Sequence, residues 1–381
     1  MLVLRVAVGG MKGASRGRLL SAPCTGEYIS SFASAPKDRE PVGWAAHDRR
    51  SPVASALPDL LPLRPYLREM VWGGRRLAEL YDKPLPPDSP IGESFEVSAL
   101  PERDSVVASG PLAGEPLGAL AAQYGQDLVG ASTVERYGRD FPLLIKLIDA
   151  QQDLSVQVHP DDAYARKHKL GPFGKMEAWY VTHSDGGRIA LGLEDGVGRE
   201  ELVQAIRLGR VEEAVRFHDV APGDVVSLPP GTVHALCRGV VVYEVQQSSD
   251  ITFRLYDYGR LGLDGKPREL HTEEALEVID FGAGSRQPEP VGDLGARARV
   301  VEDEHYRLDG GRLTEGMSIS SGDSFAALTA LSGPLRLRGG DGAACDLGPG
   351  DSALIPVGRT VEAEPLDKGP ADYLLAFPGR G

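Results

Sequence analysis

Residues able to coordinate a divalent metal begin on a short predicted strand in the middle of the chain. The segment Leu154–Asp162 alternates apolar and polar residues, which is typical of a β-strand with one buried face. Successive side chains of a strand point to opposite faces, so Gln157 and His159 point the same way. The strand therefore offers two neutral ligand atoms to a common point. Taken alone, the Gln-x-His pattern is equally typical of the polar outer face of a half-buried strand.

Two further potential ligands lie on later predicted strands. Glu177 falls in a strand predicted over residues 174–181, and His234 falls in one predicted over residues 232–236. Two imidazoles, a carboxylate and an amide oxygen suit zinc or another divalent first-row metal. Because a single strand histidine is usually structural, the prediction depends on the whole set. The predicted metal ligands are Gln157, His159, Glu177 and His234.

An internal repeat indicates the fold that positions these residues. The Pro-Gly-Asp sequence at residues 222–224 precedes a short strand and a Leu-Pro pair. A second Pro-Gly-Asp sequence, 127 positions later, precedes a similar strand and an Ile-Pro pair. Short, regularly spaced strands with Gly/Pro turns predict a mainly β protein built from two jelly-roll barrels with a few short helices. His234 falls opposite Val361 in the repeat, so only the first barrel is predicted to hold the metal.

Positively charged residues are predicted to surround the metal ligands. Lys175 shares a strand face with Glu177, Lys146 interrupts an apolar strand, and Arg254 lies on a strand predicted over residues 251–256. Each could be a solvated surface charge. Together they predict a cationic rim that could hold a phosphate group through cations that include Arg254 or Lys146. The sequence has no glycine-rich phosphate loop, so a nucleotide is not indicated.

Composition restricts the class of protein. The chain has 381 residues, 41% of them hydrophobic, and a formal net charge of −14, which argues against binding nucleic acid through its phosphates. No run approaches the ~20 apolar residues of a membrane span. The three cysteines are odd in number and none forms a C-x-x-C pair, which is typical of a reducing cytoplasm.

The pattern along the chain predicts three regions. Residues 1–56 are basic, rich in small residues and without sustained periodicity, and are predicted to be a disordered or mis-assigned N-terminal extension. Residues 57–285 are predicted to form the metal-binding barrel, with an inserted helix near residues 199–217. Residues 286–381 are predicted to form the second barrel, without a metal site.

Several of these segments together resemble a known family. The chain is similar to type I mannose-6-phosphate isomerase (phosphomannose isomerase) of the cupin superfamily, in its short bacterial form, from about residue 57 to the end. The order and spacing of the motifs agree with that family, whose fold is a pair of cupin barrels. The segments that carry the resemblance are WGGRRLAEL (72–80), GESFEVS (92–98), LSVQVHPDD (154–162), GKMEAWY (174–180), PPGTVHA (229–235) and EVQQSSDITFRLYDYGR (244–260).

The resemblance implies an activity and a role for individual residues. It implies metal-assisted proton transfer between C2 and C1 of a sugar phosphate through a cis-enediol, which interconverts mannose 6-phosphate and fructose 6-phosphate. It also implies one zinc ion per chain. The cysteines predict a cytoplasmic location, and the chain is predicted to be a monomer or a homodimer. The residues concerned are the zinc ligands His159, Glu177, His234 and, in many members, Gln157; the active-site arginine Arg254; the catalytic-site lysine Lys175; and Lys146 and Glu93, which line the pocket.

Two alternatives and one mechanistic question stay open on the sequence. Metal cupin oxygenases tend to have His-x-His where this chain has Gln157-Val158-His159. A non-catalytic regulator that responds to sugar phosphate could use the same barrels, although it would not need both Glu177 and His234. The general base is not singled out, because Glu93, Lys175 and a metal-bound water are all candidates.

Overall fold

The computed structural model describes residues 56–284, 286–292 and 294–380. The predicted N-terminal extension therefore lies, apart from its last residue, outside the described residues. The described chain is mainly β, as predicted, and its helices are short. No helix in this part of the chain is long and apolar enough to cross a membrane.

The strands and helices follow each other in an order that begins and ends with β-structure. In the first half of the chain they are β1 (Leu61–Arg64), β2 (Tyr66–Gly74), α1 (Arg76–Tyr81), β3 (Ile91–Val97), β4 (Val106–Val107), α2 (Leu117–Tyr124), α3 (Gln126–Val129), α4 (Ala131–Tyr137), β5 (Leu143–Asp149), β6 (Val156–Val158), α5 (Asp162–Lys167), β7 (Glu177–Ser184) and β8 (Arg188–Leu193). The second half contains α6 (Arg199–Leu208), β9 (Val215–Asp219), β10 (Asp224–Leu228), β11 (His234–Leu236), β12 (Val240–Gln247), β13 (Phe253–Tyr256), α7 (Thr272–Val278), β14 (Glu289–Pro290), β15 (Ala298–Glu302), β16 (Tyr306–Leu313), β17 (Met317–Ser320), β18 (Ala326–Ser332), β19 (Leu335–Gly339), β20 (Ala344–Leu347), β21 (Ser352–Ile355), β22 (Thr360–Pro365) and β23 (Ala371–Pro378).

Four sheets make up two barrels. The first barrel combines sheet I, in the order β14-β10-β7-β12-β5-β3-β2, with sheet II, in the order β13-β6-β11-β8-β9. The second barrel combines sheet III, in the order β15-β16-β23-β18-β21-β1-β4, with sheet IV, in the order β17-β22-β19-β20. Three elements cross the predicted boundary at residue 285, because β1 pairs with β21, β4 pairs with β1, and β14 pairs with β10.

The two faces of sheet I have different surroundings. Leu143, Ile145 and Leu147 of β5, like Tyr243 and Val245 of β12, belong to a core shared with sheet III of the second barrel. Side chains alternate along a strand, so the residues between them point into the first barrel instead. That alternation places Lys146 and Glu244, the charged residues of these two strands, inside the first barrel, where both are almost fully buried.

The predicted repeat is present in the structure. The turns that precede β10 and β21 each contain a glycine with positive φ, Gly223 (94°) and Gly350 (83°), a conformation that is costly for residues with a Cβ. β11 and β22 are the next strands in each copy. β11 begins with His234, whereas the equivalent Val361 of β22 is fully buried in the apolar core of the second barrel. Within the described residues, the one group of three His, Cys, Asp or Glu side chains placed to hold a metal lies in the first barrel.

The helix predicted near residues 199–217 is shorter than expected. Helix α6 ends at Leu208 because Gly209 adopts a left-handed conformation (φ 66°), which terminates helices. A single 3-10 turn over Val211–Glu213 follows. The last apolar residues of the predicted helix belong instead to β9, which pairs with β8 at the edge of sheet II.

Candidate active site

The predicted metal ligands come from both sheets of the first barrel. Sheet I contributes Glu177, the first residue of β7, and sheet II contributes His234 from β11. His159 follows the last residue of β6 directly. The Nε2 atoms of His159 and His234 lie 3.6 and 3.2 Å from Oε1 of Glu177. All three side chains are almost fully buried, and their ligand atoms lie within 4.8 Å of one another.

Hydrogen bonds to the backbone fix the orientation of both imidazoles. Nδ1 of His159 lies 2.8 Å from the carbonyl oxygen of Ile251, and Nδ1 of His234 lies 2.9 Å from that of Thr232. A carbonyl oxygen only accepts, so each Nδ1 is a protonated donor, and in the neutral imidazole the lone pair is then on Nε2. This arrangement is typical of metal-ligating histidines, whose second nitrogen is held by a fixed acceptor.

The ligand atoms of the three residues converge on one point. Oε1 of Glu177 is buried and accepts no hydrogen bond. In the neutral imidazoles two nitrogen lone pairs face this point as well, and a bound cation would stabilise such an arrangement in a buried site. Two imidazoles and a carboxylate are the donor set of many zinc sites. The residues thus fit a divalent metal.

Gln157 lies beside the cluster. Its backbone pairs with that of His234, and its Nε2 lies 3.3 Å from Nε2 of His234. Its Oε1 accepts a hydrogen bond from the hydroxyl of Ser155 at 3.2 Å. A rotation of the amide by 180° would place the oxygen near the cluster, where it could act as a fourth ligand.

Lys175 is in direct contact with the candidate ligands. Its buried Nζ lies 2.6 Å from Oε2 of Glu177 and 3.3 Å from Nε2 of His159. Burial alone would raise the pKa of Glu177, but Lys175 and His159 hold it well below its usual value. Burial, together with Lys175, lowers the pKa of His159 to about 3. Both groups are therefore in the protonation state that binds metal, a carboxylate and a neutral imidazole.

A row of buried charges crosses sheet I next to the cluster. Nζ of Lys146 lies 3.3 Å from Oε1 of Glu93 and 3.3 Å from Oε1 of Glu244. The two carboxylates outweigh the effect of burial and raise the pKa of Lys146. The charge that interrupts the apolar strand β5 is thus paired on both sides. Lys146 and Glu93 line one cleft with Gln157 and Lys175.

Glu244 was missed by the sequence analysis. Its Oε2 accepts a hydrogen bond from Nε1 of the buried Trp179 at 2.8 Å, and its pKa is raised by burial and by the negative charge of Glu177. The signal was present in the sequence, because Glu244 is the single acidic residue in the strand VVVYEVQQ. A charge in so apolar a strand needs a partner, and pairing of β12 with β5 places Lys146 directly opposite it.

Arg254 lies on the other wall of the cleft. It is in β13, where its backbone pairs with that of Gln157, one strand from the metal cluster. The structure thus brings all eight predicted site residues into one cleft and its buried floor: Glu93, Lys146, Gln157, His159, Lys175, Glu177, His234 and Arg254. Arg68 and Arg268, which the sequence analysis did not single out, line the cleft as well.

Comparison with known proteins identifies the family. Residues 60–195 match the sequence profile described as "Phosphomannose isomerase type I, catalytic domain". The chain is 36% identical over 279 residues to the probable mannose-6-phosphate isomerase GmuF of Bacillus subtilis (strain 168), an alignment that covers 72% of this chain and 86% of that protein. It is 34% identical over 299 residues to the mannose-6-phosphate isomerase ManA of the same organism, covering 77% and 92%.

A solved structure agrees with the sequence comparison. The crystal structure of the mannose 6-phosphate isomerase from Bacillus subtilis superposes with a TM-score of 0.74 at 31% identity, covering 84% of this chain and 99% of that one. The predicted family and the predicted two-barrel, mainly β fold are therefore confirmed. The chain belongs to the type I phosphomannose isomerase family.

Proposed function

We propose that this isomerase interconverts mannose 6-phosphate and fructose 6-phosphate with the help of one zinc ion per chain. The observation that carries the proposal is the convergence of His159, Glu177 and His234 in the cleft of a protein from this family, with both Nε2 lone pairs directed at a carboxylate oxygen. Gln157 would be the fourth ligand. The first barrel, formed mainly by residues 57–285, would perform the chemistry, and the second, formed mainly by residues 286–381, would support it.

The reaction places distinct demands on the cleft. A proton must move between C2 and C1 of an open-chain sugar, and negative charge develops on the oxygens of the cis-enediol that forms between them. A bound divalent ion would polarise these oxygens as a Lewis acid. The remaining requirements, which are charge stabilisation, proton transfer and substrate orientation, fall to side chains of the chain itself.

Two cations lie near the candidate metal ligands. Lys175 contacts both His159 and Glu177, and Arg254 lies across from Gln157. Preorganised positive groups in a buried site stabilise an anionic transition state because they need no reorganisation when the charge forms. We assign this role to Arg254 and Lys175. Lys146 and Glu93 would hold sugar hydroxyls, which can exchange hydrogen bonds with an ammonium and a carboxylate.

Two carboxylates could carry the proton. Glu93 and Glu244 flank Lys146 and both line the cleft. Oε1 of Glu244 lies 3.3 Å from Nζ of Lys146, and burial together with the negative charge of Glu177 raises the pKa of Glu244 above that of an ordinary glutamate. A general acid or base is most effective when its pKa is near the working pH. Glu244 therefore joins Glu93 as a candidate for the general acid or base. Comparison of Glu93→Gln with Glu244→Gln separates the two, because loss of the proton-transferring carboxylate should lower kcat and leave KM unchanged.

A coupled assay tests the proposed function. Formation of fructose 6-phosphate from mannose 6-phosphate is measured before chelation, after chelation and after restoration of zinc. The proposal predicts activity that vanishes with the metal and returns with it. A folded, metal-loaded protein that binds mannose 6-phosphate without turning it over would refute the proposal and would indicate a regulator.

The cellular setting follows from the cysteines. Cys237 is buried, and both Cys237 and Cys345 are free thiols in the structure. Unpaired cysteines are typical of reducing compartments, so we propose a cytoplasmic location. Whether the chain is a monomer or a homodimer stays a prediction that sedimentation can test.

A further inference from the structure

The ammonium groups at the inner end of the cleft are already neutralised. Lys146 has a carboxylate at 3.3 Å on each side, from Glu93 and Glu244. Lys175 has Glu177 at 2.6 Å. A substrate phosphate near neutral pH carries between one and two negative charges. Lys146 therefore has no uncompensated charge with which to bind such a group, whereas Glu177, the partner of Lys175, is also a candidate metal ligand.

Arg254 is in the opposite situation. Its side chain has no hydrogen-bond or ion-pair partner among the described residues, and its Nε is buried. Burial lowers its pKa, and the positive charge of Arg68 contributes to that shift. A half-buried guanidinium without an anionic partner is unfavourable, and a bound anion would relieve it.

Arg68 and Arg268 line the cleft with Arg254 and retain unused donors. Among the described residues, Arg268 contacts Asp257 through Nη1 alone, at 3.2 and 3.3 Å. Within the same part of the chain, Arg68 uses only Nη1, which lies 3.1 Å from Glu93 and 3.3 Å from Asp250. Each guanidinium has five N–H donors, so each still has N–H groups able to bind a ligand.

The carboxylates near these arginines are shared between cations. Asp257 accepts from both Arg260 and Arg268, and Asp250 pairs with both Arg68 and Arg103. Glu93, the other carboxylate that contacts Arg68, is itself shared with Lys146. Three carboxylates thus serve four guanidinium groups and one ammonium group, and Arg254 has no carboxylate partner among the described residues. The arginines are close enough to affect one another: the pKa of Arg268 is lowered by burial, with contributions from Arg254, Arg260 and Arg68. This side of the cleft has an excess of positive charge.

We propose that Arg68 and Arg268, together with Arg254, bind the phosphate group of the sugar phosphate, and that Lys146 does not. The proposal rests on the proposed function for the identity of the substrate. A phosphate has three acceptor oxygens, and guanidinium groups bind such oxygens bidentately, which lysine cannot do. Arg254 is the link between the two ends, because its backbone pairs with Gln157 beside the metal cluster.

The test compares Arg68→Met and Arg268→Met with a matched control. Arg103→Met removes an arginine that shares Asp250 with Arg68 but does not line the cleft. We measure binding of inorganic phosphate by isothermal titration, and KM and kcat for mannose 6-phosphate. Loss of a charge-assisted hydrogen bond predicts phosphate binding weaker by about 10- to 100-fold and a KM raised similarly in the two cleft variants. The change in kcat should stay within about threefold, and the control should match the wild type.

Conservative variants and separate readouts keep the outcomes distinct. Arg268→Lys retains the charge without the planar fork and should recover only part of the phosphate affinity. Cleft variants with wild-type phosphate affinity, alongside a Lys146→Met variant that loses it, would overturn the assignment. If the wild type binds phosphate through these arginines yet does not turn over mannose 6-phosphate, the proposed function fails and the anion site stands. If the wild type turns over mannose 6-phosphate but neither Arg68→Met nor Arg268→Met changes KM, only the assignment of the phosphate-binding residues fails.

Discussion

A buried ion pair between the two barrels gives the sharpest prediction about stability. Nζ of Lys83 lies 2.9 Å from Oε2 of Glu96 in β3 and donates to the carbonyl oxygen of Gly350 at 2.8 Å. Gly350 belongs to the turn of the second barrel that precedes β21. Lys83 is 4% exposed and Glu96 is 0% exposed. The contact therefore ties the second barrel to the strand whose opposite face presents Glu93 to the cleft.

Replacing Lys83 by methionine should be strongly destabilising. Glu96 would stay buried with a single hydrogen bond, from the hydroxyl of Ser94 at 2.6 Å, and without a cation. Removing one partner of a buried pair costs about 3–5 kcal/mol. With a urea m-value of about 3 kcal/mol per molar, the unfolding midpoint should fall by about 1–1.7 M. Intrinsic fluorescence can report it, because Trp72 and Trp179 are both 2% exposed.

The deficit should depend on pH with a definite sign. Burial already raises the pKa of Glu96 in the folded protein, although Lys83 opposes the shift. When folding raises the pKa of a carboxyl group, the folded protein loses stability as the pH rises from the unfolded-state pKa through the folded-state pKa. Without Lys83 the folded pKa rises further. The difference between Lys83→Met and the wild type should therefore be largest at neutral pH and shrink as Glu96 is protonated in acid.

The double variant Lys83→Met/Glu96→Gln is the control. It removes both charges, so most of the lost stability should return, since replacing both members of a buried pair by neutral groups is often close to neutral. A single variant Lys83→Met with wild-type stability at pH 7 would refute the reasoning. So would a deficit that grows as the pH falls.

Three further predictions concern packing, thiol reactivity and metal binding. Gly73→Ala should lower the free energy of unfolding in urea by about 1–3 kcal/mol, because the added Cβ would lie 2.5 Å from the carbonyl carbon of Ile91. Gly284→Ala has open space around the added Cβ and should leave the stability unchanged. Equal stabilities of the two variants would contradict this account. In a Cys24→Ser background, neither remaining thiol should react with a thiol reagent in the native protein at pH 8, because burial raises the pKa of both to about 12. Denaturation should make both thiols reactive. Rapid reaction of either thiol in the native protein would refute this prediction. Chelation should lower the free energy of unfolding by about 2.7–4.1 kcal/mol if the metal was present at 100–1,000 times its dissociation constant. The stability of Glu177→Gln should not depend on the chelator. An identical response to chelation in that variant would exclude Glu177 as a ligand.

The sequence was most informative where strand alternation decides which way a side chain points. The period of two places Gln157 and His159 on one face, and the repeat locates the strand that carries His234. Lys146 stood out because a charge inside an apolar strand needs a compensating partner. That partner could not be named in advance, because Glu244 meets Lys146 only through the pairing of β12 with β5, which joins residues about 100 positions apart.

Other features depend on contacts that no local pattern encodes. Arg68 and Arg268 line the cleft because β2 pairs with β3 and because Asp257 holds the segment after β13. The apolar stripe of α6 continued past Gly209, so periodicity alone extended the helix into what is a strand. The pairing of β1 with β21 likewise depends on tertiary packing, since these strands are far apart in the chain.

On this account, isomerisation requires a metal held by His159, Glu177 and His234. The most direct test replaces one of these ligands by the residue at the equivalent position of the second barrel. His234→Val installs the residue found at the equivalent position 361, where it packs in an apolar core. Metal content by mass spectrometry and turnover of mannose 6-phosphate are measured on the same preparation of each protein. We predict one divalent ion per chain with turnover in the wild type, and a folded His234→Val protein with neither. Wild-type turnover by metal-free His234→Val protein would contradict the claim.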